Sequence, residues 1–223
     1  MSALIKILKR QNVIYKILAT FCTTLLIIIL SIKLTLNFKP LYYADIITLN
    51  VQETSHLSNE EIKLNYDYVI NYVQNPKKQI FVLPTLTFSN EGKIHFEEVK
   101  AIFNKLDYIF YVLILIDIII IYIYINRNKD FKFLKWSSFS LFITPLLCLI
   151  PFLINFDKSF NIFHKLLFNN DYWLLNSKTD PIITIMPQEF FFHCTIFIIS
   201  LTLVYSTIIY IIYKKLNNYF AFL

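Results

Sequence analysis

The stretch that decides the fold runs from Ser159 to His193 and reads SFNIFHKLLFNNDYWLLNSKTDPIITIMPQEFFFH. It lies between two long apolar runs, so it connects two membrane-spanning segments at a membrane surface. It carries two of the four histidines, one of the two tryptophans and two prolines with polar neighbours. These residue types, concentrated in one short interfacial connection, mark it as the candidate functional region.

The composition is that of an integral membrane protein. Of the 223 residues, 57% are hydrophobic and only one is a glycine, whereas a soluble domain is typically ~45–50% apolar. The net charge of +6 fits an asymmetric distribution of loop charge better than binding to nucleic acid, which we do not expect as a partner. Cys22, Cys148 and Cys194 fall in or beside apolar runs without metal-ligand spacing, and we expect no disulfide.

Four apolar runs predict four transmembrane helices, at about 13–36, 108–125, 133–154 and 190–213. The first run is too long for a signal-peptide core and is expected to remain uncleaved. Pro145 and Pro151 are predicted to break the third helix. The predicted fold class is an all-α polytopic membrane protein.

The distribution of charge predicts the orientation of the helices. The N-terminus, the 126–135 turn and the C-terminus carry ten lysine or arginine residues and one acid, Asp130. The other two connections are longer and carry more acids than bases. Because basic loops stay inside, both termini are predicted to be cytoplasmic in a cell membrane.

Charge and hydropathy together predict five regions along the chain. They are a cytoplasmic N-terminus with the first helix (1–36), an extracytoplasmic segment (37–106), the second and third helices (107–154), an interfacial extracytoplasmic segment (155–189), and the fourth helix with a cytoplasmic tail (190–223). The two outer segments are expected to form a cap at the outer membrane face.

The first outer segment contains its own structural signals. Ser58 and Glu61 form a capping box that predicts the start of a helix, and Asn75-Pro76 predicts its end. Apolar residues at helical spacing predict its buried face: Ile62, Tyr66, Val69, Ile70 and Val73. The stretch 42–47 is predicted to be extended.

His164 and His95 are the candidate residues for proton transfer. His164 lies in a short amphipathic stretch that suggests a helix in the membrane interface, and His95 opens the second long helix on the same outer side. A neutral imidazole is a natural base near neutral pH. Taken singly, however, an interfacial histidine and a helix-start histidine are the commoner interpretations. Glu98 follows His95 by one turn and could orient it, although an acid also simply favours a helix N-terminus.

Polar residues after His164 are candidates for contacting substrate. Asn169, Asn170, Tyr172 and Trp173 offer hydrogen-bond donors that could stabilise an ester oxyanion. The alternative is that the asparagines form a turn and Trp173 anchors the chain at the interface. Asp180-Pro181 is typical of an N-cap followed by a first-turn proline.

Three further features carry weaker signals. Asp117 lies within the second helix, where an acid is costly, and we expect it to contact Ser137, Ser138 or Thr144 on the third helix. His193 is interpreted as an ordinary interfacial residue. No cysteine or closely spaced acid completes a metal site with the two outer histidines, so no metal is predicted.

Several motifs in the chain resemble the lipoprotein intramolecular transacylase family of Gram-positive bacteria, over roughly residues 40–215. The matching motifs are His164, Phe168-Asn169-Asn170-Asp171-x-Trp173, Thr179-Asp180-Pro181-Ile182-Ile183, Pro187-x-x-Phe190-Phe191, I-H-F-x-E-V around His95, and the segment from Leu57 to Asp67.

The resemblance implies a reaction. Family members move the sn-2 acyl chain of a diacylglyceryl lipoprotein onto the α-amino group of its N-terminal cysteine, which gives a lyso-form lipoprotein. It implies His164 as the principal base and His95 as its partner, with membrane lipid around the enzyme, no cofactor and no obligate protein partner. The alternatives are a non-catalytic membrane subunit or lipid-binding chaperone, and a metal-dependent membrane hydrolase.

Overall fold

A computed structural model describes residues 2–128 and 130–221, with side chains from 13 to 126 and from 130 to 220. Position 129 of the basic turn and the basic side chains before residue 13 lie outside the described residues. The described residues form α-helices with a short π-helical turn at Tyr124–Asn128 and contain no strand. The α-helices are α1 Ser2–Asn37, α2 Lys39–Thr48, α3 Val51–Ser55, α4 Asn59–Gln74, α5 Asn90–Ile123, α6 Lys132–Ile154, α7 Phe156–Leu167, α8 Ile182–Ile185 and α9 Gln188–Ala221.

Four helices are long and apolar enough to cross a membrane. Their candidate spans are Val13–Asn37, Asn90–Asn126, Lys132–Ile154 and Gln188–Phe220. The predicted all-α polytopic fold with four transmembrane helices is confirmed. Pro145 and Pro151 do not break α6, which is continuous, so that prediction was wrong. Transmembrane helices tolerate proline because nearby groups satisfy the carbonyl that it leaves free.

The chain divides into two compact units, and the first comprises Met1–Ile32, Ile109–Cys148 and Ile198–Leu223. Inside it, Ser138 and Ser206 each donate a hydrogen bond to the other's backbone carbonyl, at 2.9 and 2.8 Å. The Asp117 carboxylate accepts a hydrogen bond from Thr23 of α1 at 3.2 Å. The predicted contact of Asp117 with the third helix was therefore wrong, because α1 and not α6 supplies its polar neighbour.

The second unit comprises Lys33–Tyr108 and Leu149–Phe197 and has an aromatic core. Tyr42 of α2 stacks on Tyr66 of α4 with ring centroids 3.6 Å apart, and Phe190 meets the Tyr42 ring edge-on at 5.1 Å. The buried Tyr42 hydroxyl donates to the carbonyl of Ile185 at 2.6 Å, which satisfies its polar end. This core joins α2, α4, α8 and the start of α9 within the unit.

The local signals of the first outer segment are only partly reliable. The predicted capping box is present, since Ser58 accepts from the Glu61 N–H and the Glu61 side chain accepts from the Ser58 N–H. The predicted apolar face of α4 is buried. The extended conformation predicted for 42–47 was wrong, because Pro40 starts a helix there and Tyr42, Asp45 and Ile46 form its buried face.

Candidate active site

His164 lies near the end of α7, on a short helix that is fixed at its start. The Asn155 side chain caps α7 by accepting from the Lys158 N–H at 2.9 Å. His164 Nδ1 is 2.8 Å from the Phe160 carbonyl oxygen, one helical turn earlier. Because a carbonyl only accepts, Nδ1 carries the proton in this hydrogen bond, and in the neutral ring Nε2 holds the lone pair. The main chain therefore presents His164 as a base through Nε2.

Aromatic rings surround the His164 imidazole. Trp173 stacks on it with centroids 4.9 Å apart, and the Phe160 ring lies 4.2 Å away on the same helix. Burial lowers the pKa of the His164 imidazole from its usual 6.5, while the hydrogen bond to Phe160 opposes part of this shift. His164 consequently stays neutral, and able to accept a proton, to a lower pH than a free imidazole.

His95 lies in the second turn of α5 and is only 8% exposed. Its ring is 6.2 Å from that of His164 and 4.9 Å from that of Phe168, between centroids. Its Nδ1 is buried and has no hydrogen-bond partner among the described residues. The structure thus brings together two histidines that are far apart in sequence.

Asn170 and Glu98 connect the two histidine-bearing segments. Asn170 Nδ2 donates to Glu98 Oε1 at 2.8 Å, and the Asn170 carbonyl accepts from Trp173 Nε1 at 3.1 Å. Glu98 lies on α5, one turn after His95, and Trp173 stacks on His164. This chain of contacts fixes the loop after α7 against α5.

Comparisons with known proteins agree with this geometry. The sequence profile of the lipoprotein intramolecular transacylase family matches residues 17–191, most of the chain. The chain belongs to this family. It is therefore an enzyme, an intramolecular acyltransferase acting on lipoproteins, and the function expected from the sequence is confirmed.

Solved structures of a Bacillus cereus member of the transacylase family share the fold. The first is 35% identical to this chain, with a TM-score of 0.90, and covers 96% of this chain and 100% of its own. Two others are 34% identical, with TM-scores of 0.89 and 0.88, and cover 99% and 98% of this chain and 98% and 99% of theirs. These two carry a histidine replaced by arginine and by alanine, respectively. The Bacillus cereus protein is membrane-integral, and this chain is likewise a multi-pass membrane protein. No curated protein matches the chain.

The four residues predicted to contact substrate lie in different environments: Asn169, Asn170, Tyr172 and Trp173. Trp173 is buried and Asn170 half-buried, and both use a side-chain N–H to hold the loop. Tyr172 is 40% exposed and Asn169 is also exposed. Asn170 and Trp173 thus form the scaffold of the site, whereas Asn169 and Tyr172 retain accessible side chains. The predicted roles of all four in contacting substrate stay predictions.

Asp180 has a structural role that sequence reasoning misplaced. Pro181, not Asp180, occupies the N-cap position of α8. Asp180 Oδ1 instead accepts from the Ser89 N–H at 2.8 Å and the Ser89 hydroxyl at 2.9 Å, immediately before α5. Gly92, in the first turn of α5, allows this approach, since a Cβ there would lie 2.1 Å from Asp180 Oδ1. The sequence offered one signal for this close approach, because the single glycine of the chain falls in a helical pattern.

His193 also has a partner that the sequence did not reveal. Its Nδ1 lies 2.8 Å from Oδ1 of Asp45, a carboxylate only 4% exposed, so the interpretation of His193 as an ordinary interfacial residue was incomplete. Asp45 and His193 are separated by 148 residues, and no local pattern relates them.

Metal ligands are not grouped around the histidine pair. Within residues 2–128 and 130–221, no cluster of three or more histidine, cysteine, aspartate or glutamate residues could hold a metal ion. The predicted proton-transfer role of the pair and the predicted independence from cofactors both stay predictions.

Proposed function

We propose that His164 and His95 together carry the acyl transfer, with His164 as principal base and His95 as its partner. The observation that supports this assignment is the 6.2 Å separation of their rings, combined with the His164 tautomer set by Phe160. A small reacting group between the rings is within reach of both imidazoles.

The reaction takes two protons from the ammonium nitrogen, one released to solvent and one transferred to the departing oxygen. The α-amino group of the N-terminal cysteine attacks the carbonyl carbon of the sn-2 ester, and a C–N bond forms as the C–O bond to the glyceryl group breaks. The amine is largely protonated near neutral pH, so His164 Nε2 first removes one proton from it and releases that proton to solvent. After attack the nitrogen gives up a second proton to a histidine, which passes it to the departing glyceryl oxygen. The products are an amide and an alcohol on the same molecule.

The proximity of the reacting groups comes from the substrate itself. Donor ester and acceptor amine belong to one lipoprotein, so the enzyme need only fold its substrate into a compact ring. A general base or acid then supplies ~10²–10⁴-fold in rate. This division of labour needs neither ATP nor a covalent acyl-enzyme, and we expect no obligate protein partner.

We place this site at the outer membrane face, with both termini in the cytoplasm. The support is the concentration of basic residues in the N-terminus, the 126–135 turn and the C-terminus. Exposed apolar side chains on α7 fit contact with membrane lipid: Ile162, Phe163, Leu166 and Leu167. His164 lies on the same helix, close to the level of lipid esters.

Substitution of each histidine by asparagine tests the assignment. His164→Asn and His95→Asn retain some hydrogen bonding but cannot transfer a proton, so each should reduce lyso-form product by ~10²–10⁴-fold. The matched control is His56→Asn, because His56 lies outside the pair with φ of 57° and asparagine tolerates that conformation. Mass spectrometry of the lipopeptide N-terminus measures the product. Wild-type activity in the double variant of His95 and His164 would refute the assignment.

Isotope labelling tests whether the acyl transfer is intramolecular. A mixture of labelled and unlabelled diacyl lipopeptides should give products whose N-acyl chain and peptide come from the same molecule. Exchange of label between molecules would instead require a free or enzyme-bound acyl intermediate.

A further inference from the structure

Five residues that include the histidine pair are linked by successive contacts, which we call the contact chain: His95, His164, Trp173, Asn170 and Glu98. His95 faces His164, His164 stacks on Trp173, and Trp173 donates to the Asn170 carbonyl. Asn170 donates to Glu98, which lies three residues after His95 on α5 and so on the same helix face. Both ends of the contact chain therefore lie on one face of α5.

Glu98 uses only one of its two carboxylate oxygens within the contact chain. Oε1 accepts from Asn170, whereas Oε2 is buried and has no hydrogen-bond partner among the described residues. Buried polar atoms in folded proteins are nearly always hydrogen-bonded, and a charged one without a partner is costly. His95 Nδ1, on the same face of α5, is buried without a partner as well. One face of α5 thus carries two buried polar atoms without partners, one on His95 of the histidine pair and one on Glu98 a turn later.

The neighbouring charges leave Glu98 available for a cation. Glu97, the adjacent acid, is exposed and lies 4.0 Å from Lys93. The buried Lys100 amine donates to the Lys77 carbonyl at 2.8 Å and lies 4.4 Å from the Tyr72 ring centroid, so its charge is used elsewhere.

We propose that Glu98 Oε2 binds the α-ammonium group of the substrate's N-terminal cysteine, while Asn170 holds Oε1 and so orients the carboxylate. This inference rests on the proposed function, since that function supplies a cationic amine at this site. An ammonium group offers three donors and a positive charge, and it forms a charge-assisted hydrogen bond to a carboxylate oxygen. Recognition of the free amine delivers it to the base His164.

The same contact distinguishes substrate from product. Acyl transfer converts the ammonium into a neutral amide, which no longer forms a charge-assisted bond to Glu98. The product consequently loses affinity for the site at the moment that it forms. A lipoprotein whose amine is already acylated is rejected for the same reason.

A binding experiment with two unreactive ligands tests the proposal. Both are diacylglyceryl-cysteinyl lipopeptides whose chains are attached by ether bonds, so that no acyl group can transfer; one has a free amine and the other an N-acetyl group. Wild-type enzyme in lipid nanodiscs should bind the free-amine ligand more tightly. Glu98→Gln, which keeps an acceptor for Asn170, should lower the affinity for the free-amine ligand by about 10- to 100-fold, the effect of losing a hydrogen bond to a charged group. Its affinity for the N-acetyl ligand should not change.

Two controls make the outcome specific. Glu97→Gln, the matched neighbour, should bind both ligands as wild type does. His164→Asn should also keep the preference for the free amine, because it removes the base and not the carboxylate. If His164→Asn stays fully active while Glu98→Gln loses amine binding, the proposed function fails and this inference stands. The inference would be overturned if the wild-type enzyme bound the two ligands with equal affinity, a comparison that needs no variant. It would also be overturned if Glu98→Gln lowered the affinity for both ligands equally.

Discussion

Gly92→Ala tests whether the start of α5 is fixed by close packing. Intrinsic helix propensity predicts that alanine stabilises a helix by ~1 kcal/mol over glycine. The structure predicts the opposite sign, because the new Cβ would lie 2.1 Å from Asp180 Oδ1 and 3.0 Å from its Cγ. Asp180 is 2% exposed and has to move, with loss of both hydrogen bonds from Ser89.

The size of the effect follows from those two bonds. A hydrogen bond to a charged group contributes ~1.5–3 kcal/mol, so the propensity gain is exceeded and a net destabilisation of about 2 kcal/mol or more is expected. For a chain of this size that lowers the melting temperature by about 4–8 °C. Activity should fall as well, because His95 lies five residues after Asn90, where α5 begins.

Thermal unfolding in detergent, followed by tryptophan fluorescence, measures the stability difference. Lys93→Ala is the control, since it alters the same helical turn without adding an atom beside Asp180. In the double variant of Gly92→Ala with Asp180→Ala the methyl group no longer meets a carboxylate, so Gly92→Ala should cost nothing in that background. A Gly92→Ala protein with a melting temperature equal to or above wild type would refute the packing argument.

Four other measurements follow from the site and the orientation. With the native cysteines removed, K78C and K165C should be labelled from outside intact cells and K129C should not; the reverse pattern would invert the orientation. The fall in kcat/KM that reports protonation of His164 in the free enzyme should lie below pH 6.5, because burial lowers the pKa of its imidazole; a fall centred above pH 6.5 would contradict this. Activity should persist after exhaustive chelation, and restoration by zinc after a loss would indicate a metal-dependent hydrolase. His193→Ala should lower the melting temperature, since the buried Asp45 carboxylate would lose this partner and keep only the hydrogen bond from Thr48 at 3.1 Å; an unchanged value would mean that this pair adds nothing to stability.

Sequence reasoning succeeded where the decisive contacts are local. The capping box of Ser58 and Glu61 spans three residues, and the buried face of α4 follows from helical periodicity alone. The four membrane helices follow from run length and composition. The assignment of α2 failed because the aromatic and branched residues after Pro40 have strand propensity, which tertiary packing overrides.

The parts of the site that sequence reasoning missed depend on long-range contacts. Asn170 and Glu98 are 72 residues apart, and Ser89 and Asp180 are 91 apart. The order of residues along the chain shows only that an asparagine follows a histidine and that an acid precedes a proline. Which carboxylate pairs with which donor is set by the packing of α5 against the loop after α7 within the second unit, and a single sequence does not encode that pairing in any local pattern.

The hydrogen bond from His164 to the Phe160 carbonyl has a consequence for mutagenesis. Its acceptor is a main-chain atom, which every amino acid at position 160 retains. An alanine scan would therefore pass over the group that fixes which nitrogen of His164 carries the proton, even if it covered every residue of α7. Replacement of the amide between residues 160 and 161 by an ester would weaken that carbonyl as an acceptor and leave every side chain unchanged. Chemical protein synthesis thus gives access to a contact of the proposed base that the genetic code leaves invariant.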